Sequence, residues 1–213
     1  MSSIELIGLR ISVYTRIARL ALEEKKVDYR LSEVDIFAED GPPSSYLAYH
    51  PFGTIPCLRA DDFVLYETGA ITRYVDETYN GPSLQPDNAV ARARMNQVIS
   101  VLDNYAYVPM VWNVYVQRIA VPEGGGQPDE DTIKSGLKKS HTVLQQLERW
   151  CHKHEFLTGN TLTLADLYAY PMLLYFSQTA EGEDLLKNTP QLIRWMERMQ
   201  VRPSVQATPF HAA

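Results

Sequence analysis

The sequence predicts a small α/β domain followed by an all-helical one. Two observations carry this. Up to Tyr79 short β-type runs alternate with helical stripes, and after "NGPSLQPD" (Asn80 to Asp87) only helical spacing remains. That octapeptide holds one Gly and two Pro and no periodic pattern, so it is read as a linker. The expected division is 1–79, a linker at 80–88, and 89–213.

The first strand is "IELIGL" (Ile4 to Leu9). From Val13 the apolar residues Val13, Ile17, Leu20 and Ala21 fall at helical spacing. "VDYRLSEVD" (Val27 to Asp35) then alternates, with Val27, Tyr29 and Leu31 on one side, as in a half-buried strand. "FAEDGPPSS" reads as a loop through its Gly-Pro-Pro. Two short strands near Cys57 to Arg59 and Phe63 to Tyr66 flank a turn at Ala60 to Asp62, which makes a hairpin. A helix follows in "TGAITRYVDETY", with Ala70, Ile71, Tyr74 and Val75 on one stripe. The order β-α-β then β-β-α implies a mixed four-stranded sheet with helices on its faces.

Beyond the linker, Ala89 to about Ala120 is helical, with Met95, Val98, Ile99, Leu102 and Ala106 in register. Pro109 is expected to kink or split it. "VPEGGGQPDED" is a loop, and helices are expected over Thr132 to about Cys151, Leu164 to about Thr179 and Pro190 to Val201.

The 213 residues carry a formal charge of −6, which argues against a dedicated nucleic-acid or anionic-membrane binder. No apolar run approaches the length of a membrane span. "MSSIELIGLR" lacks a basic region followed by an apolar one, so no secretory signal is expected and the reading is cytoplasmic. Cys57 and Cys151 form no C-x-x-C pair and are expected as free thiols. "CHKHE" (Cys151 to Glu155) has poor spacing for a preformed metal site, and none is assigned.

The string "HPFGTIPCLRADDFVLYETGAITRYVDETY" (His50 to Tyr79) resembles the core signature of the glutathione transferases. "SVYTRIARLALEEKKVDY", "FLTGNTLTLADLYAYPML" and "IRWMERMQVRPSV" are similar to further pieces of that family, in order along nearly the whole chain. The resemblance implies a thioredoxin-like N-terminal domain that binds glutathione as co-substrate, without a metal. It implies an all-α domain that contributes the pocket for a small hydrophobic electrophile. It also implies a homodimer and conjugating activity, with hydroperoxide reduction as a further possibility. The rival reading is a non-catalytic glutathione- or ligand-binding protein on the same fold.

By resemblance, Ile55-Pro56 is a cis peptide, and the Ile55 backbone pairs with the cysteinyl part of glutathione. Thr68 would take the γ-glutamyl carboxylate and Glu67 would face the ammonium, while Thr68 as a plain helix cap is the simpler reading. Many relatives carry Lys, Gln or Arg where Thr54 stands and use it for the glycine carboxylate. Thr54 is short and uncharged, and Arg10, Arg16 or His50 could replace that contact. Thr163 and Asp166 of "TLAD" form a structural capping box.

"SVYTRIAR" aligns Ser12 with the residue that activates the thiol in serine-type members of the phi and theta-like groups, and Val13 with their usual proline. Tyr14, Thr15 and a backbone N–H are the rivals for that role. A serine cannot form the mixed disulfide of cysteine-type members. Tyr14, Met110 and Trp112 are the candidates for the electrophile pocket. Tyr105 and Tyr115 share the aromatic stripe "YAYVPMVWNVYVQR" with the last two.

Overall fold

A computed structural model describes residues 4–209 and divides them into two compact units. One runs to Leu84 and takes in the chain from Val201 on; the other spans Gln85–Gln200.

The first unit is built on a four-stranded sheet in the order β2-β1-β3-β4. The strands are β1 (Ile4–Ile7), β2 (Tyr29–Ser32), β3 (Cys57–Ala60) and β4 (Phe63–Tyr66). β1 pairs parallel with β2 and antiparallel with β3, and β3 pairs antiparallel with β4. β1, β2 and β4 therefore run one way and β3 the other. The expected strand Val27 to Asp35 shortens to four residues, the ones that pair with Ile4 to Ile7 of β1 among the described residues.

Helix α1 (Val13–Glu24) follows β1, and α3 (Thr68–Thr78) follows β4. A short α2 (Ser44–Leu47) interrupts the expected loop. On α3 the buried face is Thr68, Ile71, Thr72, Val75 and Asp76. This face is rotated from the expected stripe. Ala70 is exposed, and Tyr74 is half-buried between Phe63 and Tyr79.

α1 is buried well beyond its apolar stripe, including Arg16 and Arg19. The chain beyond Val201 returns to cover it through α10 (Pro203–Gln206). Arg19 donates to the Tyr29 hydroxyl and to the Ala207 and Pro209 carbonyls. Glu24 accepts from Nε and Nη2 of Arg202, each at 2.9 Å, and from the Ser204 hydroxyl. At the end of α1, Lys25 Nζ meets Asp76 Oδ1 at 3.0 Å and the Pro82 carbonyl at 3.1 Å. The same Asp76 oxygen accepts the Leu84 N–H.

The second unit is helical: α4 (Ala89–Val101), a π-wound segment Leu102–Ala120, α5 (Val121–Glu123), α6 (Glu130–Cys151), α7 (Leu164–Phe176), α8 (Ala180–Leu186) and α9 (Pro190–Gln200). Pro109, where a kink or a split was expected, does not end the helix: the π-wound segment runs through it. Proline lacks an N–H and crowds the preceding turn of an α-helix, and the wider π winding around it relieves that crowding. α6 approaches closely here because Gly136 has no Cβ, which would fall 2.8 Å from the Pro109 carbonyl oxygen. α7 is buried almost all round. Its start is held by Asp166, whose carboxylate accepts from the Leu157 and Thr163 N–H groups, the Thr163 hydroxyl and Trp195 Nε1. A buried carboxylate needs that many donors. α8 carries no strong periodic signal and was not expected.

The Lys25–Asp76 pair has only 3% and 4% of its side chains exposed. Removing one partner leaves a buried charge uncompensated. Lys25→Met is expected to lower stability by about 3–5 kcal/mol in urea unfolding. The double variant with Asp76→Asn should recover part of the loss, since Asn still accepts the Leu84 N–H.

Candidate functional site

The strand directions collect the sequence-predicted residues at one edge of the sheet. Ile7 pairs with Cys57, and Cys57 with Tyr66, in one row across three strands. Neighbouring strands lie about 4.8 Å apart. The next residues outward are Gly8 after β1, Pro56 before β3 and Glu67 after β4. Ser12, Thr54 to Pro56, and Glu67 with Thr68 therefore flank the same edge. Beneath it Ile7, Tyr46 and Cys57 form a buried cluster, with Val34, Ile36 and Ile55 packed on it. Burial pushes the Cys57 thiol up to about 11, so it is an inert core group.

At the first flank the chain leaves β1 through Gly8. A Cβ there would meet Thr15 Oγ1 at 2.4 Å. The first turn of α1 thus packs directly on the end of β1. Ser12 is the N-cap, with extended backbone, and its Oγ accepts the Thr15 N–H at 3.2 Å. Accepting that bond leaves the hydroxyl's own proton free to donate. No acidic side chain lies in the first turn, so its N–H groups and the positive helix end are not neutralised locally. Val13 is buried where the family has proline. Thr15 is fully buried and its hydroxyl is turned to Gly8, which removes it as a rival. Tyr14 is half-buried.

At the second flank the Ile55-Pro56 peptide is cis, as the resemblance implies. Thr54 is clamped twice. Its carbonyl accepts the Tyr46 hydroxyl at 2.6 Å, and its Oγ1 lies 3.0 Å from His50 Nε2. His50 is 1% exposed and its ring centroid lies 4.7 Å from that of Tyr66. Burial pulls the His50 pKa below its ordinary value, against the opposing effects of the Glu67 charge and its own backbone. Of the three residues considered beside Thr54, the structure places His50 against it. Arg10 pairs with Glu33 instead, and Arg16 is buried in α1. The Tyr46, His50, Thr54 spacing of four residues is the sequence signal for this clamp.

At the third flank Glu67 has φ 69° and ψ 117°, an unusual conformation for a residue with a side chain. Such a backbone costs on the order of 1–3 kcal/mol and clusters at functional sites. Glu67, not Thr68, is the N-cap of α3, and its side chain makes no capping bond. Thr68 is the first helical residue, so its hydroxyl is not spent on capping. α3 too has no acidic side chain in its first turn. This edge therefore presents two helix starts suited to anions.

In the helical unit, Met110 is fully buried and offers no surface to a ligand in this conformation. Trp112 is 39% exposed and Tyr105 62%. Tyr115 packs edge-on against Tyr175. Among the described residues no group of three or more His, Cys, Asp or Glu could hold a metal ion. Burial pushes the Cys151 thiol up to about 12.

Residues 11–78 match the family described as "Glutathione S-transferase, N-terminal domain", and residues 86–203 the one described as "Glutathione S-transferase, C-terminal domain". Glutathione S-transferase F13 of Arabidopsis thaliana is 30% identical over 204 residues, covering 95% of this chain and 93% of the relative. The solved structure of glutathione S-transferase-I bound with lactoylglutathione superposes with a TM-score of 0.87 at 28% identity, over 97% of this chain and 98% of that one. Glutathione transferase F7 from Populus trichocarpa gives 0.84 at 28% identity, over 96% and 97%.

Two substitutions test the geometry through stability alone. Gly8→Ala should destabilise by about 1–3 kcal/mol in urea unfolding, because Thr15 must move. Ser12→Ala should lose about 1 kcal/mol as a missing cap, and Ser12→Gly only a few tenths.

Proposed function

The chain belongs to the glutathione S-transferase family, and from that premise we propose that Ser12 activates the glutathione thiol by donating a hydrogen bond to its sulfur. The observation that supports this best is the Thr15 N–H to Ser12 Oγ bond. It fixes the hydroxyl at a helix start and leaves its proton to donate.

The energies suffice. A thiol has a pKa of about 8.5, and lowering it by two units takes about 2.7 kcal/mol of preference for the anion. A hydrogen bond to a charged group contributes about 1.5–3 kcal/mol, and a helix N-terminus about 0.3–1. The thiol proton leaves to solvent. The sulfur lone pair then forms the new bond to an electrophilic carbon, and the leaving group departs with the electron pair of the broken bond.

The remaining residues hold the substrate. The Ile55 N–H and C=O, set by Pro56, pair with the cysteinyl unit. The α3 start and the Thr68 hydroxyl take the γ-glutamyl carboxylate, with Glu67 facing the ammonium. Thr54 lies toward the glycine end. Tyr14 and Trp112 are the better electrophile contacts, since Met110 is fully buried. Conjugation of small hydrophobic electrophiles is the main activity, and organic hydroperoxides are a second class open to the same thiolate. No helix among the described residues is long and apolar enough to cross a membrane. A cytoplasmic homodimer is the working assembly.

The test separates capping from chemistry. Thiolate absorbance of the glutathione complex, titrated against pH, should show the bound thiol pKa rising by about 1–2 units in both Ser12→Ala and Ser12→Gly. kcat/KM with a chlorinated aromatic should fall about 10- to 100-fold in both, although Ser12→Gly costs the helix only about a few tenths of a kcal/mol. Full activity in these variants would move the role to the backbone N–H groups. Tight glutathione binding by wild type, with no turnover of a chlorinated aromatic or a hydroperoxide, would favour the binding-protein reading.

A further inference from the structure

We propose that Asn80-Gly81 is a self-modifying site, at which the Asn80 amide is lost through a cyclic imide and the isoaspartyl product loosens the loop that anchors the end of α1.

The structure singles out this asparagine among the seven of the chain. Asn80 is exposed and lies just past the end of α3, outside any helix. The residue after it is glycine, whose missing Cβ leaves its nitrogen room to close a ring on the Asn80 side chain. No other asparagine here is followed by glycine. Three of the others are tied to the backbone through their side chains. Asn88 Oδ1 accepts the Val90 and Ala91 N–H groups, and Asn160 Oδ1 accepts that of Glu155. Asn104 donates its amide to the Ser100 carbonyl. The Gly81 N–H, by contrast, has no acceptor among the described residues. An N–H outside any hydrogen bond is open to water and to base.

The Gly81 nitrogen gives up its proton to water and attacks Asn80 Cγ. A C–N bond forms there, the bond from Cγ to the side-chain nitrogen breaks, and that nitrogen takes a proton from water and leaves as ammonia. Water then opens the imide ring at one of its two carbonyls. One opening gives aspartate. The other routes the main chain through Cβ and Cγ and gives isoaspartate. No oxidant or cofactor is consumed. Isoaspartate adds a carbon to the main chain in a segment without slack. Upstream, the Tyr79 N–H is bound to the Val75 carbonyl at 3.2 Å. Downstream, the Pro82 carbonyl holds Lys25 Nζ, and the Leu84 N–H is held by Asp76. Between them Gly81 takes a φ of 135°, a conformation that favours glycine, and a Cβ on it would lie 3.4 Å from Lys25 Cα. The extra carbon therefore works against the Lys25–Asp76 anchor.

The full chain is held in warm, mildly alkaline buffer and followed by intact mass and peptide mapping, beside a synthetic peptide with the sequence of Tyr79 to Leu84. Each event raises the mass by about 1 Da. The fragment with Asn80 should carry the change, mostly as isoaspartate, which isoaspartyl methyltransferase labels. The rate should lie within about tenfold of the synthetic peptide's, and Asn80→Gln, which needs a larger ring, should slow it by more than about tenfold. The isoaspartate-rich fraction, separated by its added negative charge, should unfold at lower urea than the unconverted chain. Asn80→Asp, with the charge but the ordinary main chain, should not. Asn80 intact after the synthetic peptide has fully converted, or conversion first at another asparagine, overturns the site. An isoaspartyl form as stable as the unconverted chain overturns the loosening.

Discussion

The contact that the site depends on is the approach of Thr15 to Gly8. Its consequence reaches beyond packing. Because Thr15 Oγ1 lies 2.4 Å from where a Cβ on Gly8 would stand, α1 starts at a fixed height above β1. Ser12 then caps the helix at the sheet edge rather than further out. Members of the family that carry proline after the activating residue gain a preset first turn from it. Here Val13 is buried instead, and packing supplies the same order. The far end of α1 is also anchored, by Lys25 on Asp76 and by Glu24 and Arg19 on the returning C-terminal chain. A helix held at both ends keeps its N-terminal N–H groups aimed at one place, which electrostatic stabilisation of an anion requires.

The rest of the edge follows from strand direction. β1 and β4 run the same way, so both helices that follow them start on the same side of the sheet. β3 runs against them, so the residues before it arrive there too. Three chain segments far apart in sequence thus meet without any long-range design beyond the order β2-β1-β3-β4. The unusual backbone of Glu67 fits the same picture. With φ 69° the chain turns sharply from β4 into α3, and the first N–H groups of the helix are left open. The order-of-magnitude cost of that turn is small beside the burial of Ile71, Thr72 and Val75 that α3 achieves.

Much of this was legible in the sequence because it is local. Strand alternation, the Val13 stripe and the Gly-Pro linker each declare themselves within a few residues. The motif around Ile55-Pro56 and Glu67-Thr68 carried the site by resemblance. What was hidden depends on contacts across the chain. Thr15 looked like a free hydroxyl until Gly8 closed over it. Ala70 looked like core until α3 proved to face inward through Thr72 and Asp76. Arg19 lies buried because its guanidinium reaches the Ala207 and Pro209 carbonyls, some 190 residues away along the chain. A helix-breaking proline is a local signal, and at Pro109 the neighbouring turns rewound to absorb it.

Capping and chemistry at Ser12 are not alternatives, and the side-chain type shows why. Asn, Asp and Ser cap helices about equally well. Asp would place a negative charge against a thiolate and raise its pKa. Asn can accept the Thr15 N–H through its carbonyl oxygen, but its amide hydrogens sit on the other branch of a longer side chain. A hydroxyl accepts and donates at one atom, so the bond that fixes Ser12 also fixes where its proton can go. In the role proposed for Ser12, the cap is the device that points the donor, and a cap without a proton would hold the helix while leaving the sulfur to the backbone alone.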